Sequence, residues 1–261
     1  FKQKTAYEML RSLVGSEMCI RDRCPSFQPP GPNDLPPASA WAIMSSRGIA
    51  MYFAEYYRWL VVHRYLAISG GETTLLDVGC HDGFFLCRQR ARLRVGLDLH
   101  PRPLPGRPVP LVQADALHPP FRPASFETIF CFDLLEHVAD DRRLLETLVE
   151  LLAPGGTLWL STPCAGFRIF PAFLMPRFNR GVGHLRNGYT VEELERMLPP
   201  GCRATFLSWN EPFQRAFYLL LHLLSFTWPW LAQRGAALCA WLDHFFPKGQ
   251  RGHLFVRIVR G

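Results

Sequence analysis

Short apolar runs recur along the middle of the chain and alternate with helical or polar segments. Their sequences are TLLDVGC (74–80), RVGLDL (94–99), PVPLVQAD (108–115), TIFCFDLL (128–135) and TLWLST (157–162). Runs of this length with few polar positions are typical of parallel strands that are buried on both faces. Helical patterns begin at Phe84 and span residues 140–152. The order predicts an α/β fold with a doubly wound, Rossmann-like and mostly parallel sheet.

Capping residues mark the ends of several predicted helices. Asp140 or Asp141 can cap the helix before the TLWLST strand, and PGG at 154–156 ends that helix. Thr190 and Glu193 have the spacing of a capping box at the start of TVEELERML. The segments CRATFLSW (202–209) and HLFVRIV (253–259) are predicted to be strands that complete the sheet.

The chain divides into six predicted segments. Residues 1–23 resemble translated sequencing adapter and are set aside from fold reasoning as an artefact. The other segments are a Pro-rich disordered lead-in (24–40), an N-terminal helical segment (41–69), the core domain (70–210), an apolar helical hairpin (211–250) and a final core strand (251–261).

Charge and cysteine content exclude some classes of protein. The net charge of +7 comes mostly from scattered arginines, without a run of like charge, so no nucleic-acid partner is expected. The eight cysteines include no CxxC pair, and several lie in apolar runs. They indicate reduced core residues, and we therefore predict a cytoplasmic protein, with a peripheral position at the inner membrane face as the alternative.

The loop after the first strand carries two glycines at positions with a physical use. Gly79 lets the backbone turn sharply and approach a ligand, and Gly83 allows close packing where the next helix is expected. The spacing Asp77-x-Gly79-x-x-x-Gly83 differs from the dinucleotide fingerprint G-x-G-x-x-G.

This loop and the segments after it resemble class I S-adenosylmethionine-dependent methyltransferases, of the type 11-like group. The resemblance covers about Thr74 to Leu198 and includes FCFDLLEHV (130–138) and LAPGGTLWLSTP (152–163). It implies S-adenosylmethionine as cofactor. It also implies that Asp98 accepts hydrogen bonds from the two ribose hydroxyls and that Asp115 receives the adenine amine. The cofactor-binding residues implied are Asp77, Gly79, Cys80, His81, Gly83, Asp98, Leu99, Asp115, Ala116 and Phe132.

His81 departs from the family pattern, in which glycine is frequent at this position. Histidine tolerates a left-handed backbone better than most residues, and Asp82 can form a local hydrogen bond, so we expect the loop to retain its function. The alternative is a Rossmann domain whose site has decayed.

Two histidines are candidate catalytic bases. Methyl transfer to oxygen requires that the acceptor lose a proton, and His137 and His184 lie in segments expected to face the acceptor. Packing roles are the alternative for both. We predict no metal ion. The alternative ligands are Asp133, Glu136 and His137, because this segment also resembles the metal-binding segment of certain O-methyltransferases that act on polyprenylated quinone precursors.

Residues 213–246 are more apolar than an exposed insertion should be. Two interpretations stay open: a helical hairpin that lies at a membrane surface, and a lid or homodimer contact that packs with the 41–66 helix. Both favour an apolar or lipid-linked acceptor.

The sequence thus predicts a methyltransferase that acts on a small or lipid-linked acceptor, with O-methylation favoured over N- or C-methylation. Two alternative functions are possible on the same fold: a nucleotide-cofactor oxidoreductase and a non-catalytic interaction module.

Overall fold

The fold is described from a computed structural model that covers residues 53–71, 73–103, 109–246, 249 and 251–261. The strands are β1 (Thr74–Val78), β2 (Leu93–Asp98), β3 (Leu111–Gln113), β4 (Phe126–Phe132), β5 (Leu152–Pro163), β6 (Cys202–Trp209) and β7 (His253–Arg260). The helices are α1 (Phe53–Leu60), α2 (Asp141–Leu151), α3 (Met175–Val182), α4 (Val191–Met197), α5 (Pro212–Thr227) and α6 (Pro229–His244). Short turns of other helix types follow α1 and lie at Leu86–Arg88, Leu135–His137 and Ala172–Leu174.

All seven strands form one sheet in the order β3-β2-β1-β4-β5-β7-β6. The first five strands pair in parallel, while β7 is antiparallel to both β5 and β6. The ends of β1 to β6 and the start of β7 therefore meet at one edge of the sheet. We call it the carboxyl edge.

Apolar side chains alternate between the two faces of the sheet, as the period of two in a strand requires. Leu76 and Ile129 belong to a core with α2 and α4, whereas Leu75 and Phe130 belong to a second core with α1, α5 and α6. Both faces are thus covered by helices, and the predicted Rossmann-like architecture is confirmed.

The predicted caps are also present. The Asp140 carboxylate accepts a hydrogen bond from the Arg143 backbone N–H at the start of α2. Thr190 and Glu193 form a complete capping box on α4, in which each side chain accepts from the backbone N–H of the other residue.

The helix predicted from Phe84 is wrong in extent, because only one 3-10 turn follows β1. The polar residues of this segment form hydrogen bonds within the protein. The Arg88 guanidinium donates to the Phe84 carbonyl at 2.6 Å and lies 3.6 Å from the Phe84 ring centroid. Gln89 accepts from the Gly70 backbone N–H. These contacts hold the segment in a compact turn, and a continued helix would have to break them.

The N-terminal predictions are described only in part. The adapter-like residues, the Pro-rich lead-in and the first part of the 41–69 helical segment lie outside the described residues. The rest of that segment forms α1 and a π-helical turn, Val61–Tyr65. The apolar insertion forms α5 and α6, and the start of α5 meets the end of α6 because the Phe213 and Phe246 rings lie 5.1 Å apart. The domain boundaries stay predictions.

Candidate functional site

The loop after β1 has the sharp turn that its glycines predicted. Gly79 and Gly83 have φ angles of 76° and 77°, and His81 between them has φ of 48°. The Asp82 carboxylate accepts a hydrogen bond from the Phe84 backbone N–H at 2.8 Å. The left-handed conformation of His81 and the local bond of Asp82 are confirmed, so the departure from glycine leaves the turn intact.

Asp98 lies at the end of β2 and joins the neighbouring loops through its carboxylate. One oxygen accepts from the His81 backbone N–H and the other from the His100 backbone N–H, both at 2.8 Å. Each oxygen of a carboxylate can accept about two hydrogen bonds. Asp98 is therefore oriented by the backbone and still has capacity on both oxygens for a pair of hydroxyl groups.

Asp77 is a buried carboxylic acid at the end of β1. Burial, with the nearby charges of Asp82 and Asp98, raises its pKa from 3.8 to about 8. Three acidic side chains at one turn create a negative potential, and a cation bound there would lower this pKa. The group therefore suits a positively charged ligand.

The remaining predicted cofactor residues surround these strand ends. The Ala114 backbone N–H donates to the Asp98 carbonyl, which places Asp115 and Ala116 beside the end of β2. Leu99 is 57% exposed, and the Phe132 ring lies 5.4 Å from that of Phe85. Acidic groups on three adjacent strand ends, with apolar surface next to them, fit a cationic sulfonium nucleoside. The individual contacts stay predictions.

A second group lies farther along the carboxyl edge. Glu136, His137 and His184 each present a ligand atom, and these atoms all lie within 4.8 Å of one another. The two imidazole rings are edge to face at 4.8 Å between centroids. The two candidate bases, which lie far apart in the sequence, are thus neighbours, and we call these three residues the Glu-His-His cluster.

Hydrogen bonds define the orientation of this cluster. Glu136 accepts from the Thr162 hydroxyl at 3.0 Å through one oxygen, and its other oxygen lies 3.9 Å from His184 Nε2. His137 Nδ1 lies 3.1 Å from the Gly183 carbonyl oxygen. Because a carbonyl only accepts, we assign the proton of neutral His137 to Nδ1, which leaves the lone pair on Nε2.

Burial keeps both histidines neutral near pH 7. It lowers the pKa of His137, and burial together with nearby His137, His253 and Arg58 lowers the pKa of His184 to about 4. Burial also raises the pKa of Glu136. The cluster therefore offers uncharged imidazole nitrogens, which can accept a proton or bind a metal ion.

Part of the chain is similar to known methyltransferases. The family profile for "Methyltransferase domain" matches residues 76–160. Residues 76–160 form a class I methyltransferase domain. Proteins with this domain use S-adenosylmethionine, so the match favours the methyltransferase interpretation over the oxidoreductase and the non-catalytic module.

Curated relatives of the methyltransferase domain match over part of their length. The ubiquinone biosynthesis O-methyltransferase of Saccharophagus degradans is 32% identical over 35% of this chain and 44% of that protein. The enzyme of the same name from Xanthomonas euvesicatoria is 33% identical over 37% of this chain and 45% of its own. The matched region thus spans less than half of either relative.

Solved structures share the fold of the methyltransferase domain. An S-adenosylmethionine-dependent methyltransferase from Mesorhizobium loti has a TM-score of 0.53 and 18% identity, over 80% of this chain and all of that one. A possible histamine N-methyltransferase from Thermotoga maritima has a TM-score of 0.51 and 16% identity, over 81% and 97%. At these identities the likeness concerns the fold alone.

The structure of the methyltransferase domain changes the alternative ligand set. Asp133, named with Glu136 and His137, is not in the Glu-His-His cluster, and His184 takes its place. Asp133 has φ of 48°, forms an ion pair with Arg58 and accepts from the Ser161 hydroxyl at 2.6 Å. Its carboxylate is therefore held toward α1 and β5.

Sequence reasoning missed several polar residues beside this cluster. His253 opens β7, and its Nδ1 lies 2.8 Å from Glu211, while its Nε2 lies 3.8 Å from Asp133. Arg58 reaches the same carboxylate from α1. The sequence does contain one indication that Glu211 is unusual, because it is the only carboxylate between Glu195 and Asp243. Nothing in the spacing showed that it would meet His253.

Proposed function

We propose that this chain transfers a methyl group to a hydroxyl oxygen of a small acceptor, and that the acceptor is lipid-linked. The observation that carries the proposal is the Glu-His-His cluster beside the end of β4, where the methyltransferase fold brings the methyl donor and the acceptor together. The names of the matched relatives, ubiquinone biosynthesis O-methyltransferases, support an O-directed reaction.

When bound, S-adenosylmethionine would supply the methyl group, which would pass to the acceptor oxygen as the carbon–sulfur bond breaks and S-adenosylhomocysteine leaves. The chain's contribution is then to position the acceptor, to exclude water and to accept the hydroxyl proton. Asp77 and Asp98 would hold the cofactor, with Asp115 at its adenine end, as the family resemblance implies.

His137 is the proposed base. Its Nδ1 proton faces the Gly183 carbonyl, so Nε2 would take the proton from the acceptor oxygen. The lowered pKa keeps this nitrogen unprotonated at neutral pH. The His184 ring, edge to face at 4.8 Å, would help to orient His137, and the Glu136 carboxylate would stabilise the positive charge that develops on it.

A divalent cation at the same cluster is the second candidate. The buried Glu136 Oε1 has no hydrogen-bond partner, and both imidazoles favour the neutral form that binds metals. A cation there would acidify a hydroxyl directly, and His137 would then act as a ligand and not as a base.

The test is methyl transfer from labelled S-adenosylmethionine to a catechol with a prenyl tail. The same catechol without the tail is the control acceptor. Isothermal titration with S-adenosylhomocysteine and NAD accompanies it. We expect binding of S-adenosylhomocysteine, labelled methyl ether as product and preference for the tailed acceptor. Binding of NAD alone, or label on carbon or nitrogen when such acceptors are offered, would contradict the proposal.

Chelation separates the two candidates for the proton step. Activity that survives EDTA and is lost in His137→Gln supports the base. Activity that is lost with EDTA and restored by Zn²⁺ or Mg²⁺ supports the cation.

A further inference from the structure

Helices α5 and α6 form a hairpin whose inner side is firmly anchored. Asp243 on α6 accepts from the Tyr57 hydroxyl on α1 at 2.6 Å and from the Phe213 backbone N–H at the start of α5. The Trp209 indole N–H donates to the same tyrosine oxygen. Ala232, Ala236 and Ala240 are buried against this core. The hairpin therefore presents a fixed outer side.

That outer side is apolar where a surface helix is normally polar. The exposed residues of α5 recur every three or four positions, and those of α6 do the same, which defines one stripe on each helix. Phe226 is 74% exposed and Leu223 is 65% exposed. The large apolar side chains of these stripes and their junction are Phe217, Leu220, Leu223, Phe226, Trp228, Trp230, Leu231, Leu238, Trp241 and Phe245.

A neighbouring segment extends the same surface. Phe170 and Phe173 are 67% and 78% exposed, just before α3. The Phe170 backbone N–H donates to the Arg215 carbonyl on α5, and the Phe178 ring of α3 packs edge to face on Tyr218 of α5. We call the two stripes together with Phe170 and Phe173 the apolar face. Among the described residues, the large exposed hydrophobic side chains outside it are Leu99, Leu185 and Phe246.

The exposed charged side chains of the segments that carry the apolar face are basic. Residues 164–190 and 212–261 contain a single acidic side chain, Asp243, which is buried. Exposed arginines of these segments include Arg168, Arg177, Arg180 and Arg234. The Arg234 guanidinium lies 5.4 Å from the Trp230 ring centroid. Arginines thus border the apolar side chains, and these two segments contain no exposed carboxylate that could pair with them.

We infer that the apolar face docks into the surface of a bilayer that contains anionic lipids. Tryptophan and phenylalanine would enter the interface between headgroups and acyl chains, while the arginines meet lipid phosphates. A twofold dimer through the same face is disfavoured, since it would bring two identical sets of arginines together. No helix among the described residues is long and apolar enough to cross a membrane.

Helix α3 connects the apolar face with the Glu-His-His cluster. The link between docking and catalysis that follows from this rests on the proposed function. Phe178 contacts Tyr218 of α5 at 5.3 Å and His184 of the Glu-His-His cluster at 6.0 Å between ring centroids. A docked protein would therefore hold the cluster close to the bilayer. A lipid-linked acceptor could reach the base without leaving the leaflet completely.

Vesicle flotation of the full chain tests the docking. Vesicles of phosphatidylglycerol and phosphatidylcholine are compared with pure phosphatidylcholine, and tryptophan emission is recorded in both. We expect flotation with the anionic vesicles, a blue-shifted emission and weaker binding at high salt. The apolar variant combines Phe226→Ser, Trp228→Ser and Trp230→Ser, and the charge variant combines Arg177→Gln, Arg180→Gln and Arg234→Gln. Each should reduce partitioning at least tenfold.

The matched control is Arg142→Gln with Arg143→Gln on α2, which covers the other side of the sheet and should leave partitioning unchanged. Unchanged affinity for S-adenosylhomocysteine shows that each variant is folded. Equal partitioning of wild type and both triple variants overturns the inference, as does a stable dimer in light scattering that does not bind vesicles. Failure to methylate either the tailed or the tailless catechol would count against the proposed function and not against docking.

Discussion

The two halves of the carboxyl edge are built in different ways. The half proposed to bind the cofactor, called the cofactor half, lies at the ends of β1 to β3. There Asp82, Asp98 and Asp115 accept hydrogen bonds mainly from backbone groups of nearby loops. In the acceptor half, at β4 to β7, His137 meets Gly183 and His253 meets Glu211. The first half is therefore a local motif, whereas the second exists only after the sheet has formed.

Their electrostatics differ as well. The cofactor half gathers carboxylates, and this proximity helps to raise the pKa of Asp77. The acceptor half mixes Arg58, imidazoles and buried carboxylates, and burial lowers the pKa of its two clustered histidines. The cofactor half is suited to holding a cation and the acceptor half to accepting a proton. Substitutions in the first should therefore weaken cofactor binding, and substitutions in the second should lower the rate of methyl transfer.

The largest effect is expected for His137→Gln. Loss of a general base typically costs about 10²–10⁴-fold in rate. We expect kcat to fall by roughly 10³-fold, with the affinity for S-adenosylhomocysteine unchanged by titration. The exposed His63 supplies the control His63→Gln, which should keep wild-type kcat.

The pH profile sharpens this prediction. Because the folded pKa of His137 lies below 6.5, the base remains available at pH 6.5 and activity should decline only as the pH falls further. A rate that falls in step with a pKa above 7 would contradict the assignment of His137.

Asp98→Ala should weaken ligand binding in the cofactor half. It removes a carboxylate that orients His81 and His100 and is placed for the ribose hydroxyls. Charged hydrogen bonds contribute about 1.5–3 kcal/mol each, so we expect roughly 10²-fold weaker binding of S-adenosylhomocysteine. Asp82→Asn, which retains an oxygen for the local turn, is the comparison and should weaken binding less. Equal losses would show that the loop conformation, and not the carboxylate of Asp98, determines affinity.

Asp77→Asn separates stability from binding. The folded pKa of about 8 exceeds the ordinary value of 3.8, so the folded protein holds more protons and its stability falls as the pH rises between these values. The variant cannot ionise, and its Tm at pH 8.5 should exceed that of the wild type by a few degrees in the absence of ligand.

The same variant should bind S-adenosylmethionine about tenfold more weakly, because a cation no longer gains a carboxylate partner. Calorimetry at pH 7 in buffers of different ionisation enthalpy provides a second measurement. Wild type should release up to one proton more than Asp77→Asn on binding. Identical proton release in the two proteins would be inconsistent with a protonated Asp77.

Thr190→Ala is expected to have the smallest effect. It removes half of the capping box of α4 and should lower the free energy of unfolding by about 1 kcal/mol in urea denaturation. Thr190→Ser keeps the hydroxyl and should cost less. Neither substitution should alter cofactor affinity. A change in affinity would show that α4 is coupled to the cofactor half.

The contrast between the halves also explains what the sequence could reveal. Strands, the capping box and the left-handed His81 follow from local chemistry, and each was predicted. The compact turn at Phe84 was not, because it depends on contacts with α1 and the segment after it, where Arg88 meets the Trp59 ring and Gln89 meets Gly70. Likewise, the meeting of His253 with Glu211 and of Arg58 with Asp133 depends on which strands become neighbours. The cluster of His137 with His184 was predicted only as two separate candidates.

The hairpin leaves the sheet after β6 and returns at β7, which lies between β5 and β6. Its exit and entry points are thus adjacent residues of one antiparallel pair, Trp209 and His253. The inner side of the hairpin belongs to the core that covers one face of the sheet, so only its outer side can change without exposing the strands. If the apolar face docks on a bilayer as inferred, a hairpin with a polar outer side would keep the same sheet and the same Glu-His-His cluster but lose the membrane contact.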